Sequence, residues 1–187
     1  MMAVDIGALS GFLSGVIGNY TATRIGRRHY EDRPCSVEVF DIGHQLLPQI
    51  AVPPLLLMGL TYAWVPFLSV ARASEIIRSL SVQVAIVLAL RAITTTVTVL
   101  PKSETCDSTG FGWSAVLNGA CYDKVFSGHT AFAVLVSLAL VNAGVWPVWG
   151  GAVYSALVAL VLLVSRGHYT VDVVLGLAIG WLTWHAT

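Results

Sequence analysis

Between Val125 and Ser165 the chain carries no Asp, Glu, Lys or Arg. A run of that length exceeds one membrane-spanning helix, for which about 20 residues suffice. The stretch NAGVWP at 142–147 divides it, because Asn, Gly and Pro favour turns and Trp suits a membrane interface. The pattern therefore predicts helices over 127–143 and 147–165, followed by a third over 169–186. Upstream, AVPPLLLMGLTYAWVPFL supports a span over 46–68, kinked or ended by Pro53, Pro54 and Pro66, and another span runs over 76–100. Residues 6–22 are rich in Gly and Ser, with Gly7, Gly11 and Gly15 at the spacing that lets helices pack closely in lipid. The apolar runs are too long for the alternating ten-residue segments of a β-barrel. The expected fold is all-α, a polytopic six-transmembrane-helix bundle making one domain over 1–187.

Six spans place the loops 23–44, 101–126 and 165–168 on one face, opposite 69–75, the turn at 143–146 and both termini. Charged residues cluster at 23–41, 72–78 and 101–124, which marks the wet parts. Composition agrees: of 187 residues 56% are hydrophobic and 11% charged, with mean hydropathy +0.78. Soluble domains carry about 25% charged residues. A formal charge of zero argues against a nucleic-acid partner held by bulk electrostatics. The first apolar stretch lacks a basic flank and a small-residue cleavage site, so no cleavable signal is expected.

An ionisable residue at membrane depth is costly and marks a candidate functional site. His129, in DKVFSGHTAF, and His168, in SRGHYTVDVV, begin helices that start on the same face, because two spans separate them. Asp172 lies four residues after His168, hence on the same helical face. A carboxylate holding one ring N–H fixes the tautomer and leaves the other nitrogen as nucleophile or base. His129 then handles the second proton. Such a set suits acyl or phosphoryl chemistry. His129, His168 and Asp172 could also supply three zinc ligands, although a metal and other cofactors are not expected. His29, His185 and His44 read as interface or structurally satisfied histidines.

Three segments resemble the sphingomyelin synthase family: CYDKVFSGHT (121–130) its C-G-D-x-x-x-S-G-H-T motif, HYTVDVV (168–174) its H-Y-T-x-D-V-x motif, and RAITTTVTVLP (91–101) the end of its third span. EVFDIGHQLLP is similar to that family's loop into the second helix. The resemblance implies a six-helix membrane enzyme of the wider lipid phosphate phosphatase (PAP2) superfamily. It implies that His168 attacks the phosphorus of a phospholipid headgroup ester, that Asp172 orients it, and that His129 protonates the departing diacylglycerol. An acceptor alcohol deprotonated by His129 then takes the headgroup, with no metal required. Two departures stand out. Tyr122 replaces the glycine of C-G-D, and Gly26 replaces the lysine of the K-x6-R-P clamp that lipid phosphatases carry, although Arg33 and Pro34 are present.

A phosphoryl transition state needs positive charge and N–H donors. Lys124 and Arg166 flank the two histidines, the last helix offers its N-terminus, and Arg91 lies about 15 Å of helix before Pro101. Ser127, Gly128 and Tyr169 adjoin the histidines, and Asp123 either pairs with Lys124 or faces a cationic headgroup, as Glu38 and Asp41 could. Trp113, Tyr122, Phe126 and Tyr169 are candidates for a choline-binding aromatic box. Gly176 and Gly180 read as helix packing. On sidedness two signals conflict. The excess of Arg and Lys on the active face points to the cytosol, whereas a Cys106–Cys121 disulfide needs an oxidising lumen. Phosphate-binding cations would distort the charge rule, so the expected site is luminal or exoplasmic. Three functions follow: headgroup transfer from a phospholipid to ceramide, diacylglycerol or another lipid alcohol; hydrolysis of the same intermediate; or a histidine-lined channel or scaffold. The expected partners are membrane lipids, with a homo-oligomer left open.

Overall fold

The computed structural model describes residues 2–31, 39–69, 73–101, 121–122 and 124–187, all helix, turn or irregular chain, with no strand among them. Helix α1 (Met2–Gly26) continues into a π-helical turn at Arg27–Glu31. The short α2 (Ile42–Leu46) and α3 (Pro54–Thr61) follow, then a 3-10 turn at Val65–Ser69. Four longer helices complete the chain: α4 (Ala73–Val97), α5 (Gly128–Asn142), α6 (Val148–Val164) and α7 (Thr170–Ala186).

Missing side chains set the α1–α4 contact. A methyl on Gly11 would overlap Ala85, one on Gly15 would lie 3.3 Å from Leu88, and one on Gly18 would lie 2.5 Å from Ala92 Cα. The partner numbers rise together, so the two helices run parallel. Of the expected Gly7, Gly11 and Gly15, the last two line this contact, and Gly18 extends it by a turn. Bare backbone also joins α7 to α5, where Cβ atoms on Gly176 and Gly180 would stand 2.6 Å from Ser127 O and 2.7 Å from Ala131 O. Gly144, at φ 72°, makes the left-handed turn between α5 and α6 that residues with a Cβ resist. Leu135, Leu140, Val158 and Leu162 are buried between α5 and α6, and Val173 closes the core from α7.

The segment expected as a single span over 46–68 is not one helix. Pro53 and Pro54 hold the preceding residues extended, so α3 covers only eight residues before a turn and the 3-10 segment. The stretch still runs end to end along α6. Ile50 N donates to Val164 O at 2.8 Å, Tyr154 Oη donates to Leu60 O and Thr61 O at 3.1 and 3.0 Å, and Phe67 packs on Trp146 at 5.3 Å. Tyr154 thereby satisfies carbonyls that the end of α3 leaves open.

By length and composition one described stretch can cross a membrane alone, Ile76–Val97, with hydropathy 1.8. The apolar helices α5, α6 and α7 have 15, 17 and 17 residues, at most about 25 Å of rise. Large apolar side chains face outward on α1 (Ile6, Leu9, Ile17), α4 (Ile93, Val97), α6 (Val148, Trp149, Val153) and α7 (Val171, Val174, Leu182).

Candidate active site

Two helix N-termini hold the candidate catalytic residues. Ser127 caps α5, its Oγ accepting from Thr130 N at 3.2 Å. Ser127 N donates to the carbonyl of Asp172 at 2.9 Å, which pins the start of α5 to the first turn of α7. The bare Gly176 makes room for that approach. His129, in the first turn of α5, and His168, two residues before α7, consequently face each other with ring centroids 6.2 Å apart.

His168 is buried, and its Nδ1 lies 3.4 Å from Oδ2 of the fully buried Asp172. The same oxygen accepts the amide of Tyr169 at 3.0 Å. One carboxylate thus caps the open N-terminus of α7 and orients the imidazole. A carboxylate opposite Nδ1 selects the tautomer protonated there and leaves the Nε2 lone pair outward. Burial first, then the positive charges of Lys124, His129 and Arg91, hold the His168 pKa well below its usual 6.5. The ring is therefore neutral near pH 7, as a nucleophile requires.

Lys124, itself buried, donates from Nζ to Gly167 O at 2.5 Å, so it ties the loop before α5 to the loop before α7. Arg91 is buried in α4 and donates from Nη1 to Asn19 Oδ1 at 2.8 Å and from Nε to Phe126 O at 3.3 Å. It passes close beneath Gly128, where a Cβ would meet its Cδ at 3.4 Å. Arg166, at φ 57°, donates from Nη2 to His44 O and Leu47 O at 2.7 and 3.0 Å, which ties the turn before α7 to the 44–47 segment.

Three of the four candidates for the aromatic box, Tyr122, Phe126 and Tyr169, are described. Phe126 lies in the core, and Tyr169 packs on His44 at 5.5 Å and donates from Oη to Pro101 O at 3.4 Å. Tyr122 lies over Gly26 and stacks on Tyr30 at 6.1 Å; any side chain on Gly26 would overlap its ring. The two sequence departures are thus one packing event, since the ring at 122 occupies the space that a residue larger than glycine at 26 would need. Trp113, Asp123, Glu38 and Cys106 lie outside the described residues, while Cys121 is disulfide-bonded. Among the described residues no three His, Cys, Asp or Glu side chains converge as metal ligands, so the three-ligand zinc alternative lacks its geometry here.

One part of the site was missed. Asp41 and His44 cap and form α2, and they grip the loop that carries His168. Asp41 Oδ2 accepts Thr170 N at 2.7 Å, and its Oδ1 accepts Thr170 Oγ1 at 2.7 Å and His44 N at 2.9 Å. Burial alone would raise the Asp41 carboxyl, but these donors and His44 outweigh it and hold the pKa below 3.8. His44 Nε2 lies 3.0 Å from the carbonyl of His168 itself and so must carry the proton. The sequence signal was the D-x-x-H spacing, which reads equally well as a helix cap.

Residues 120–187, which carry α5 to α7 with both histidines and Asp172, match the family described as PAP2 superfamily C-terminal. That match supports phosphatase- or phosphotransferase-type lipid chemistry for this segment. The chain is also similar to the Protein PHLOEM UNLOADING MODULATOR of Arabidopsis thaliana, 34% identical over 90 residues that take in 43% of this chain. The matched part is 20% of that relative's length.

Proposed function

We propose, with a PAP2-type C-terminal segment as the premise, that this chain is a multi-pass membrane enzyme transferring a phosphorylated headgroup between lipids. The donor is a glycerophospholipid carrying phosphocholine or a related phosphoalcohol, and the acceptor is ceramide, diacylglycerol or another lipid alcohol. One observation carries the reading: two imidazoles from separate helix starts lie 6.2 Å apart, and one of them is backed by a buried carboxylate.

In the first step Nε2 of His168 attacks phosphorus. A P–N bond forms, the P–O bond to diacylglycerol breaks, and His129 gives its proton to the departing oxygen. In the second step His129 removes the acceptor's hydroxyl proton, the acceptor oxygen attacks phosphorus, and the P–N bond breaks. Splitting one displacement into two is ordinary covalent catalysis, with the same residue acting as acid and then base. Asp172 holds the ring for in-line attack. The nearby cations Lys124 and Arg91 stabilise charge on the phosphoryl oxygens. The chain's own side chains complete both steps.

The outward-facing apolar residues of α1, α4, α6 and α7 support embedding of the whole bundle in lipid, as do the buried His, Asp and Arg gathered at one end. The stretch over 46–69 crosses as an irregular segment sheltered against α6, the setting in which non-helical backbone is tolerated at membrane depth. A disulfide at Cys121 supports a luminal or exoplasmic site. The test supplies purified protein with phosphatidylcholine and labelled ceramide or diacylglycerol. Labelled lipid product supports transfer. Release of free phosphocholine or phosphate with no lipid product assigns hydrolysis instead.

A further inference from the structure

We infer that Asp41 and His44 are positioning residues, which fix the backbone of the His168 turn while Asp172 fixes its ring. The inference rests on His168 being the nucleophile and adds what aims it. The bonds that reach from the 41–44 segment to residues 168–170 land beside the imidazole rather than on it. His44 Nε2–H donates to His168 O at 3.0 Å, Asp41 takes the amide and hydroxyl of Thr170 at 2.7 Å each, and Gly43 N donates to Thr170 Oγ1 at 2.9 Å. From the other side, Arg166 donates to His44 O and Leu47 O. A Cβ on Gly43 would overlap Thr170 Oγ1, so the segment approaches as closely as bare backbone permits.

The arrangement has a physical reason. Asp172 is four residues from His168 on the start of one helix, and its contact to Nδ1 is long, at 3.4 Å. That contact sets rotation of the ring but cannot set where the turn 165–169 stands relative to α5. The amides of Arg166, Gly167 and His168 bond back to Leu162 and Leu163 at the end of α6, and Lys124 holds Gly167 O, but none of these bonds takes the carbonyl of His168 or the side chain of Thr170. Anchoring from α2 adds the constraint on those two groups, on either side of the α7 start. A misplacement of 1 Å at a reacting atom costs about a hundredfold in rate.

The experiment compares His44→Phe, His44→Gln and Thr170→Val in purified full-length protein, using phosphatidylcholine with labelled ceramide or diacylglycerol. Phenylalanine keeps the ring against Tyr169 but removes the donor, whereas glutamine restores an N–H donor. His44→Phe is expected to lower kcat about tenfold to a hundredfold with KM within about twofold, and His44→Gln to recover most of the loss. Thr170→Val cuts the same clamp at Asp41 and Gly43 and lowers kcat in the same direction, which carries the test if His44→Phe does not fold. In parallel, diethyl pyrocarbonate reactivity of His168 is read by mass spectrometry. It is slow in the wild type, where the residue is buried, and several-fold faster in His44→Phe and Thr170→Val. A wild-type kcat in both variants with unchanged His168 reactivity overturns the inference, and so does a rise confined to KM. A wild type that makes no product from any lipid pair sinks the transferase reading alone, because the reactivity arm still decides whether α2 holds the turn.

Discussion

Asp172 serves two masters with one oxygen, the helix amide of Tyr169 at 3.0 Å and the His168 ring at 3.4 Å. Replacing it by asparagine preserves volume but allows an amide N–H to face Nδ1, which favours the wrong tautomer. Asp172→Asn is expected to slow turnover by about 10⁴ while leaving expression intact, read by single-turnover kinetics. His168→Ala should abolish transfer and hydrolysis together. The lowered pKa of His168 gives a signed pH prediction. Attack needs the neutral ring, so the acid limb of kcat/KM belonging to this group lies below pH 6.5, and activity falls as pH drops through the lowered pKa. Lys124→Met removes a cation that depresses it, and the limb should move upward. A limb that stays in place in Lys124→Met would contradict the electrostatic assignment.

At the scale of elements, the two histidines meet because α7 offers bare backbone to the start of α5. A methyl at Gly176 would stand 2.6 Å from Ser127 O, the residue whose amide bonds Asp172 O. Gly176→Ala is expected to cost about 1–3 kcal/mol in resistance to detergent or thermal unfolding and to lower kcat with it. Gly59→Ala, which has open space around its Cβ position, should do neither. Much of this level was legible in the chain. The NAGVWP break and the charge-free run set α5 and α6, and the Gly176/Gly180 spacing announced close packing. What the chain hid has physical causes. Four prolines between 48 and 66 leave the apolar content of a span but forbid its hydrogen-bond ladder, so hydropathy saw one helix where the chain makes an extended strand-like run, α3 and a 3-10 turn. Arg166 and Lys124 read as phosphate ligands because charge near a histidine invites that reading; that each also holds a loop carbonyl was not legible, because the carbonyls come from distant segments. Asp41 and His44 were opaque, since their partners lie more than 120 residues away.

For the molecule as a whole, the parallel α1–α4 pair and the returning 47–69 segment bring the C-terminal ends of α1, α4 and α6 to the end where α5 and α7 begin. All the buried charge of the site gathers there, and the outer surface of the bundle is left apolar. A channel lined by histidines would instead distribute polar groups along several helices. Placing the site in an oxidising compartment predicts that an Asn-X-Thr acceptor inserted in the 102–120 segment is glycosylated in microsomes. An acceptor after Thr187, at the opposite end, should remain unmodified. The reverse pattern would put the site in the cytosol. The most direct test of the central claim is to incubate the protein with headgroup-labelled phospholipid without acceptor, quench in alkali where phosphohistidine survives, and locate the label by peptide mass spectrometry. The account predicts headgroup phosphate on His168, lost in His168→Ala and discharged by added lipid alcohol. Turnover with no label on that residue, or label carried by another side chain, would contradict it.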